Sequence, residues 1–118
     1  MNREIKFRYF NGKSVLNQEA IINHLNKYIA KNDKNLMQYT GLKDRNGVEI
    51  YEGDIVKDEY DNELYFVWYS DTHARYVISP LAALKFNSQK RRVVDYGTGI
   101  KTYEVIGNIH ENPELLNV

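Results

Sequence analysis

The chain has 118 residues, with 16 basic and 16 acidic side chains, no cysteine, and an aromatic set of ten tyrosines, four phenylalanines and one tryptophan. That length suits a single domain, residues 1–118, burying about two-thirds of the surface its unfolded form exposes; ten basic residues against nine acidic in 1–59, and six against seven in 60–118, leave no global electrostatic footprint for nucleic acid or an anionic membrane. Without cysteine there are no disulfides, no thiolate chemistry and no cysteine-based zinc site, which fits the cytoplasm, and no apolar run is long enough for a signal peptide or a membrane span.

From Glu4 to Phe10 apolar Ile5, Phe7 and Tyr9 alternate with Lys6 and Arg8, the period of a half-exposed strand. Asn11-Gly12 turns the chain, and Asn17 is placed to cap a helix from Gln18 to about Lys31, with Glu19 in its first turn. Ile21, Ile22, Leu25, Tyr28 and Ile29 form the apolar stripe of that helix and predict docking on a sheet or on a neighbouring subunit. Asn32 to Asn35 is a polar loop.

Leu36 to Leu42 and Val48 to Tyr51 read as two strands around Asn46-Gly47, a pair suited to positive φ and so to a hairpin. Glu52-Gly53-Asp54 is a second turn, and β-branched Ile55-Val56 resumes extended geometry, giving a three-strand meander. Asp58 to Glu63 is a hairpin loop. Leu64 to Tyr69 is a strand with apolar or aromatic residues on both faces, which predicts burial on both sides. Ser70 to His73 is a loop, Arg75 to Ile78 a strand stopped by Pro80, and 81–86 suits either a helical turn or, as preferred, a strand. A turn at 87–90, a strand from Arg91 to Tyr96, a loop at 97–99 and a strand from Thr102 to Ile109 follow, with a short helix opened by Asn112-Pro113-Glu114 at the end. The expected fold is mainly β, α+β by count: a short-strand meander curling into a partly closed barrel, with one N-terminal amphipathic helix packed on it.

The run from Leu36 to Val56, LMQYTGLKDRNGVEIYEGDIV, resembles the signature of the YopX family, proteins encoded mainly by phages and prophages. Arg3 to Arg8, REIKFR, resembles that family's start, and Tyr103 to Leu116, YEVIGNIHENPELL, its ending, although Tyr9-Phe10-Asn11 stands where the family has an aromatic-Asp pair built on tryptophan. The resemblance implies a mostly β fold, a phage or prophage origin and self-assembly, and it implies no catalytic mechanism.

The residues carry no catalytic, cofactor or metal motif of their own. Gly97-Thr98-Gly99-Ile100-Lys101 lacks the spacing of a phosphate loop, and Lys43 to Gly47 lacks the ligand positions of a calcium loop. Glu52 and Asp54 are read as a solvated turn rather than paired catalytic carboxylates. His24, His73 and His110 lack a local zinc spacing, and Ser70, Asp71 and His73 share one loop, where a triad rarely converges. One cationic cluster, Lys85, Lys90, Arg91 and Arg92, together with Tyr65, Trp68 and Tyr69, forms a candidate interaction surface. It reads either as a nucleic-acid surface of cations and stacking aromatics or, as preferred, as an edge strand guarded by charge. The expectation is a non-enzymatic binding or assembly module that self-associates, without cofactor, membrane partner or small-molecule substrate; a nucleic-acid-binding accessory protein is the alternative.

Overall fold

The computed structural model of the chain describes residues 4–81, 92–93 and 102–117. The elements expected at 82–91, most of the strand expected from Arg91 to Tyr96, the loop at 97–99, and Lys85, Lys90 and Arg91 of the cationic cluster lie outside the described residues.

The fold is mostly β, built as two antiparallel sheets with few helices. The first has the order β2-β1-β3-β4, made of β1 (Phe7–Phe10), β2 (Val15–Asn17), β3 (Leu36–Lys43) and β4 (Glu49–Tyr51). The second, curled into a half-barrel, has the order β8-β7-β6-β5-β9, with β5 (Asp54–Asp58), β6 (Leu64–Ser70), β7 (Arg75–Pro80), β8 (Arg92–Val93) and β9 (Tyr103–Asn108). The core sits between them. Leu42 and Ile50 of the first sheet pack against Val56, Tyr65, Val67, Tyr76, Ile78 and Tyr103 lining the second.

The hairpin at Asn46-Gly47 forms as its sequence requires. Gly47 has φ +81°, its N–H donates to the Asp44 carbonyl, and β3 pairs antiparallel with β4. A Cβ at Gly47 would meet no atom within 4 Å, so a substitution there is opposed by backbone conformation alone. Gly47→Val is therefore expected to lower stability by about 1 kcal/mol or more, read as a reduced denaturation midpoint; an unchanged midpoint would contradict this turn geometry.

Three expectations are corrected. The meander stops after two strands, because at Glu52-Gly53 the chain leaves the first sheet and β5 pairs with β6 and β9 instead of β4. Gly53, at φ +87°, makes this change of direction. The run 18–31 is two helices rather than one: α1 (Gln18–Ile21) and α2 (Leu25–Ala30). Asn17 does cap α1, its Oδ1 accepting from Ala20 N at 3.0 Å. The break falls where two β-branched isoleucines meet Asn23 and His24, all weak helix formers, and it splits the apolar stripe. Ile21 is buried, Leu25 and Tyr28 are half-buried, and Ile22 and Ile29 face solvent. What holds α2 is Tyr28 stacked on Tyr9 of β1, centroids 3.9 Å apart and 4° from parallel. Asn32 closes α2 in the left-handed region at φ 51°, with Asp33 N donating to the Tyr28 carbonyl and Asn32 N to that of Ile29.

The third correction is β6. Tyr65 and Val67 are buried, Leu64, Phe66 and Trp68 are half-buried, and Tyr69 is exposed. The strand buries one face in the core and leaves the other lining an open groove.

Candidate functional site

The corner Glu52-Gly53-Asp54 is bonded to both sheets and is far from a solvated turn. Glu52 N donates to the Gln38 carbonyl on β3, Gly53 N donates to that of Val67 on β6, and the Gly53 carbonyl accepts from Ile109 N after β9. Asp54 is completely buried. One of its oxygens pairs with the Arg8 guanidinium of β1, and the other accepts from Tyr51 N at 2.8 Å. Arg8 lies over the Tyr51 ring, 4.3 Å from its centroid, while its Nε is buried without a partner among the described residues. A carboxylate with a guanidinium and an amide donor would ordinarily ionise readily, but loss of solvent outweighs both, and burial pushes the Asp54 carboxyl up to about 6.

Beside this buried pair is a groove of about 330 Å³ between the sheets. Its walls come from the 32–34 loop, Leu36 and Met37 of β3, Glu52 and Gly53, Phe66 to Trp68 of β6, and Ile109-His110. Phe66 and Trp68 stack with centroids 6.3 Å apart, and Trp68 Nε1 donates to Ser79 Oγ at 3.0 Å, which fixes the indole. Glu52 accepts from Gln38 N through Oε1 at 2.9 Å; among the described residues its Oε2 takes no hydrogen bond, and burial raises its carboxyl above the usual carboxylate range. His110 stacks on Phe10 at 5.4 Å, and burial, with the Arg8 charge, lowers its tendency to protonate. Asp33 accepts one hydrogen bond on each carboxylate oxygen, from Tyr9 Oη and from Asn35 N. The groove thus brings the Phe66 and Trp68 rings of β6 beside the Glu52 carboxylate.

Of the residues singled out from the sequence, Tyr65, Trp68 and Tyr69 share β6 but stand in different surroundings. Tyr65 is buried, its ring edge-on to Tyr103 and its hydroxyl donating to Asp61 at 2.6 Å. Trp68 lies on the opposite face of β6, in the groove, and Tyr69 packs edge-on against Tyr76. Arg92 pairs with Ile78 in β8, two strands from β6. Ser70 is buried, and its Oγ lies 3.0 Å from His73 Nδ1 as a brace within the loop. The sequence places Glu52 in a solvated turn and His110 outside any local zinc spacing, and neither carries a signal for the groove; Arg8, a cation between Phe7 and Tyr9 in β1, is a signal for the buried acid Asp54 alone. Among the described residues no cluster of three or more histidine, aspartate or glutamate side chains could hold a metal, and no helix is long and apolar enough to cross a membrane.

This geometry defines a small two-sheet β domain whose internal charges join the sheets and whose open groove is aromatic and acidic. A family model described as YopX protein matches residues 2–117, and the chain belongs to the YopX family. Among solved structures, the crystal structure of protein EF1440 from Enterococcus faecalis is similar, with 28% identity over 96% of this chain and 75% of that one, at a TM-score of 0.45. No curated protein matches the chain.

Proposed function

We propose that the protein is a non-enzymatic binding and assembly module of phage or prophage type, acting in the cytoplasm and associating with copies of itself. The observation that carries this reading is the use made of the interior ionisable groups. Asp54 and Arg8 join the sheets, and Asp44 fastens the β3–β4 turn to β9 through Val105 N; both acids are consumed by structure rather than left facing a reacting atom. Self-association is supported by the aliphatic side chains that the broken helix turns outward, Ile22 and Ile29 at 56% and 49% exposure. The phage origin is supported by family membership together with the resemblance of the three sequence segments.

The nucleic-acid alternative needs stacking aromatics beside cations. Among the described residues, Phe66 and Trp68 share their groove with the carboxylates of Asp33 and Glu52 and the ammonium of Lys34, a balance that opposes phosphate. Light scattering on a sizing column, with a salt titration against single- and double-stranded oligonucleotides, tests the reading. An oligomer that persists in high salt and binds no oligonucleotide is expected. A monomer with tight binding that weakens steeply with salt would overturn the proposal.

A further inference from the structure

We infer that Asn11-Gly12, at the tip of the β1–β2 hairpin, is a site of self-modification, where the chain converts its own asparagine through a cyclic imide to aspartate and isoaspartate with water as the co-reactant. The inference goes beyond the assembly reading and does not depend on it. Asn-Gly occurs twice in the sequence, at 11–12 and at 46–47, and all four residues are exposed. Sequence and exposure therefore do not separate the two pairs. Their hydrogen bonds do.

The reaction needs the amide nitrogen of the glycine as nucleophile and the side-chain carbonyl carbon, Cγ, of the asparagine as electrophile. At 46–47 the nucleophile is engaged: Gly47 N donates to the Asp44 carbonyl at 3.0 Å, and Asn46 N and Val48 N both donate to Asp44 Oδ1, which fixes the peptide between them in the β3–β4 turn. At 11–12 the arrangement is reversed. Gly12 N meets no acceptor among the described residues, and no atom beyond its chain neighbours lies within 4 Å of where a Gly12 Cβ would stand. Asn11 Oδ1 instead accepts from Lys13 N at 2.8 Å and from Ser14 N at 2.9 Å. Bonds of this kind curl an asparagine side chain over its own following peptide, and they put two backbone donors on the oxygen that becomes negative as nitrogen adds to Cγ. Donors set in place for a developing oxyanion lower the barrier to its formation, and holding the reacting atoms together removes part of the entropic cost.

In the first step Gly12 N loses its proton and bonds to Asn11 Cγ, and the Cγ–Nδ2 bond breaks, so that Nδ2 leaves as ammonia with that proton. Water then opens the imide. Attack at Cγ breaks the new bond and gives aspartate; attack at the main-chain carbonyl carbon breaks the original peptide bond and gives isoaspartate, with one more carbon in the main chain. Nothing is oxidised or reduced. Either product adds a negative charge to a chain whose formal charges balance. The isoaspartyl link also falls beside Phe10, which pairs with Val15 of β2, and both side chains pack against Met37, Tyr39 and Tyr51, so this product loosens the β2 edge of the first sheet.

The two sites fall in different tryptic peptides, 9–13 and 46–57. The full-length protein is held at pH 8 in water labelled with heavy oxygen, either folded or unfolded in guanidinium chloride. Each peptide is followed by mass spectrometry, and a methyltransferase specific for isoaspartate identifies that product. In the folded protein Asn11 is expected to convert at least tenfold faster than Asn46, with one labelled oxygen incorporated, whereas unfolding should bring the two rates within about twofold of each other. Ser14→Pro removes one of the two donors on Oδ1 and should slow Asn11 severalfold without changing Asn46. Should that variant fail to fold, the comparison of folded and unfolded parent decides alone. Equal rates in the folded protein, faster conversion at Asn46, a tenfold difference that persists in the unfolded chain, or an unchanged rate at Asn11 in folded Ser14→Pro would each overturn the assignment.

Discussion

Asp54→Ala is expected to cost about 3–5 kcal/mol at pH 7, since it leaves the Arg8 guanidinium between the sheets with no compensating charge. Arg8 cannot escape easily: its side chain is 17% exposed, its Nε is already without a partner, and its plane lies against Tyr51. Arg8→Met should be similarly damaging, because it leaves a fully buried carboxylate. The double variant Arg8→Met, Asp54→Leu removes both charges and keeps apolar volume, so it should recover most of the loss, as replacement of a buried ion pair often does. Chemical denaturation of the four proteins closes the cycle. Single variants within about 1 kcal/mol of the parent would mean that the pair contributes little beyond a surface salt bridge.

The same carboxyl has a pH signature of definite sign. In the folded chain burial holds Asp54 protonated up to about pH 6, whereas an unfolded aspartate ionises near pH 3.8. Between those values the folded state binds more protons, so this group's contribution to stability is greatest below pH 4 and falls as pH rises to about 6. His110 acts in the opposite sense. Its lowered pKa means that the unfolded chain binds more protons near pH 6, and its contribution grows as pH rises through that region. Comparison with Asp54→Asn isolates the carboxyl: the stability gap between parent and variant should narrow from pH 4 to pH 6. A gap that widens over that interval would show the Arg8 attraction outweighing desolvation.

How far the sequence could be read depends on how local each signal is. The β3–β4 hairpin was legible because Asn46-Gly47 specifies its own turn, and Gly47 takes the positive φ that the pair announces. The Asn17 cap was legible for the same reason. Glu52-Gly53-Asp54 was not, because three polar residues between apolar runs look like a solvated turn. Their burial depends on Arg8, 46 residues away, and on Val67 in the other sheet. β2 was missed because Val15–Asn17 is too short to display a period. In the candidate site strand alternation already puts Phe66 and Trp68 on one face of β6, yet Glu52 and His110 join them only when the chain changes sheets. Periodicity assigns a residue to a face. It does not say what that face will meet.

The largest loss outside the ion pair is expected at Asp44, which joins the two sheets at the far side of the core. Its side chain is buried and accepts three backbone N–H groups: Oδ1 takes Asn46 and Val48 at 2.8 and 2.9 Å, and Oδ2 takes Val105 of β9 at 2.9 Å. Arg45 N donates to the Tyr103 carbonyl beside it, and the Arg45 side chain reaches Glu59 and Glu104 at 2.6 and 3.0 Å. The turn of the first sheet therefore covers the outer edge of β9, whose amides would otherwise be open to pairing with another chain. Asp44→Ala should lower stability by about 3 kcal/mol, because buried donors left without an acceptor cost about 1–3 kcal/mol each and those nearest solvent recover part through water. Asp44→Asn should be nearly as harmful, since its amide keeps one acceptor but must aim N–H groups at another backbone donor. Hydrogen exchange locates the effect. The Val105 amide should lose at least a hundredfold of its protection in either variant, more than the Val67 amide on β6. Equal exchange at Val105 in parent and variant would show that β9 is held by its pairing with β5 alone, and that the carboxylate of Asp44 merely shapes its own turn.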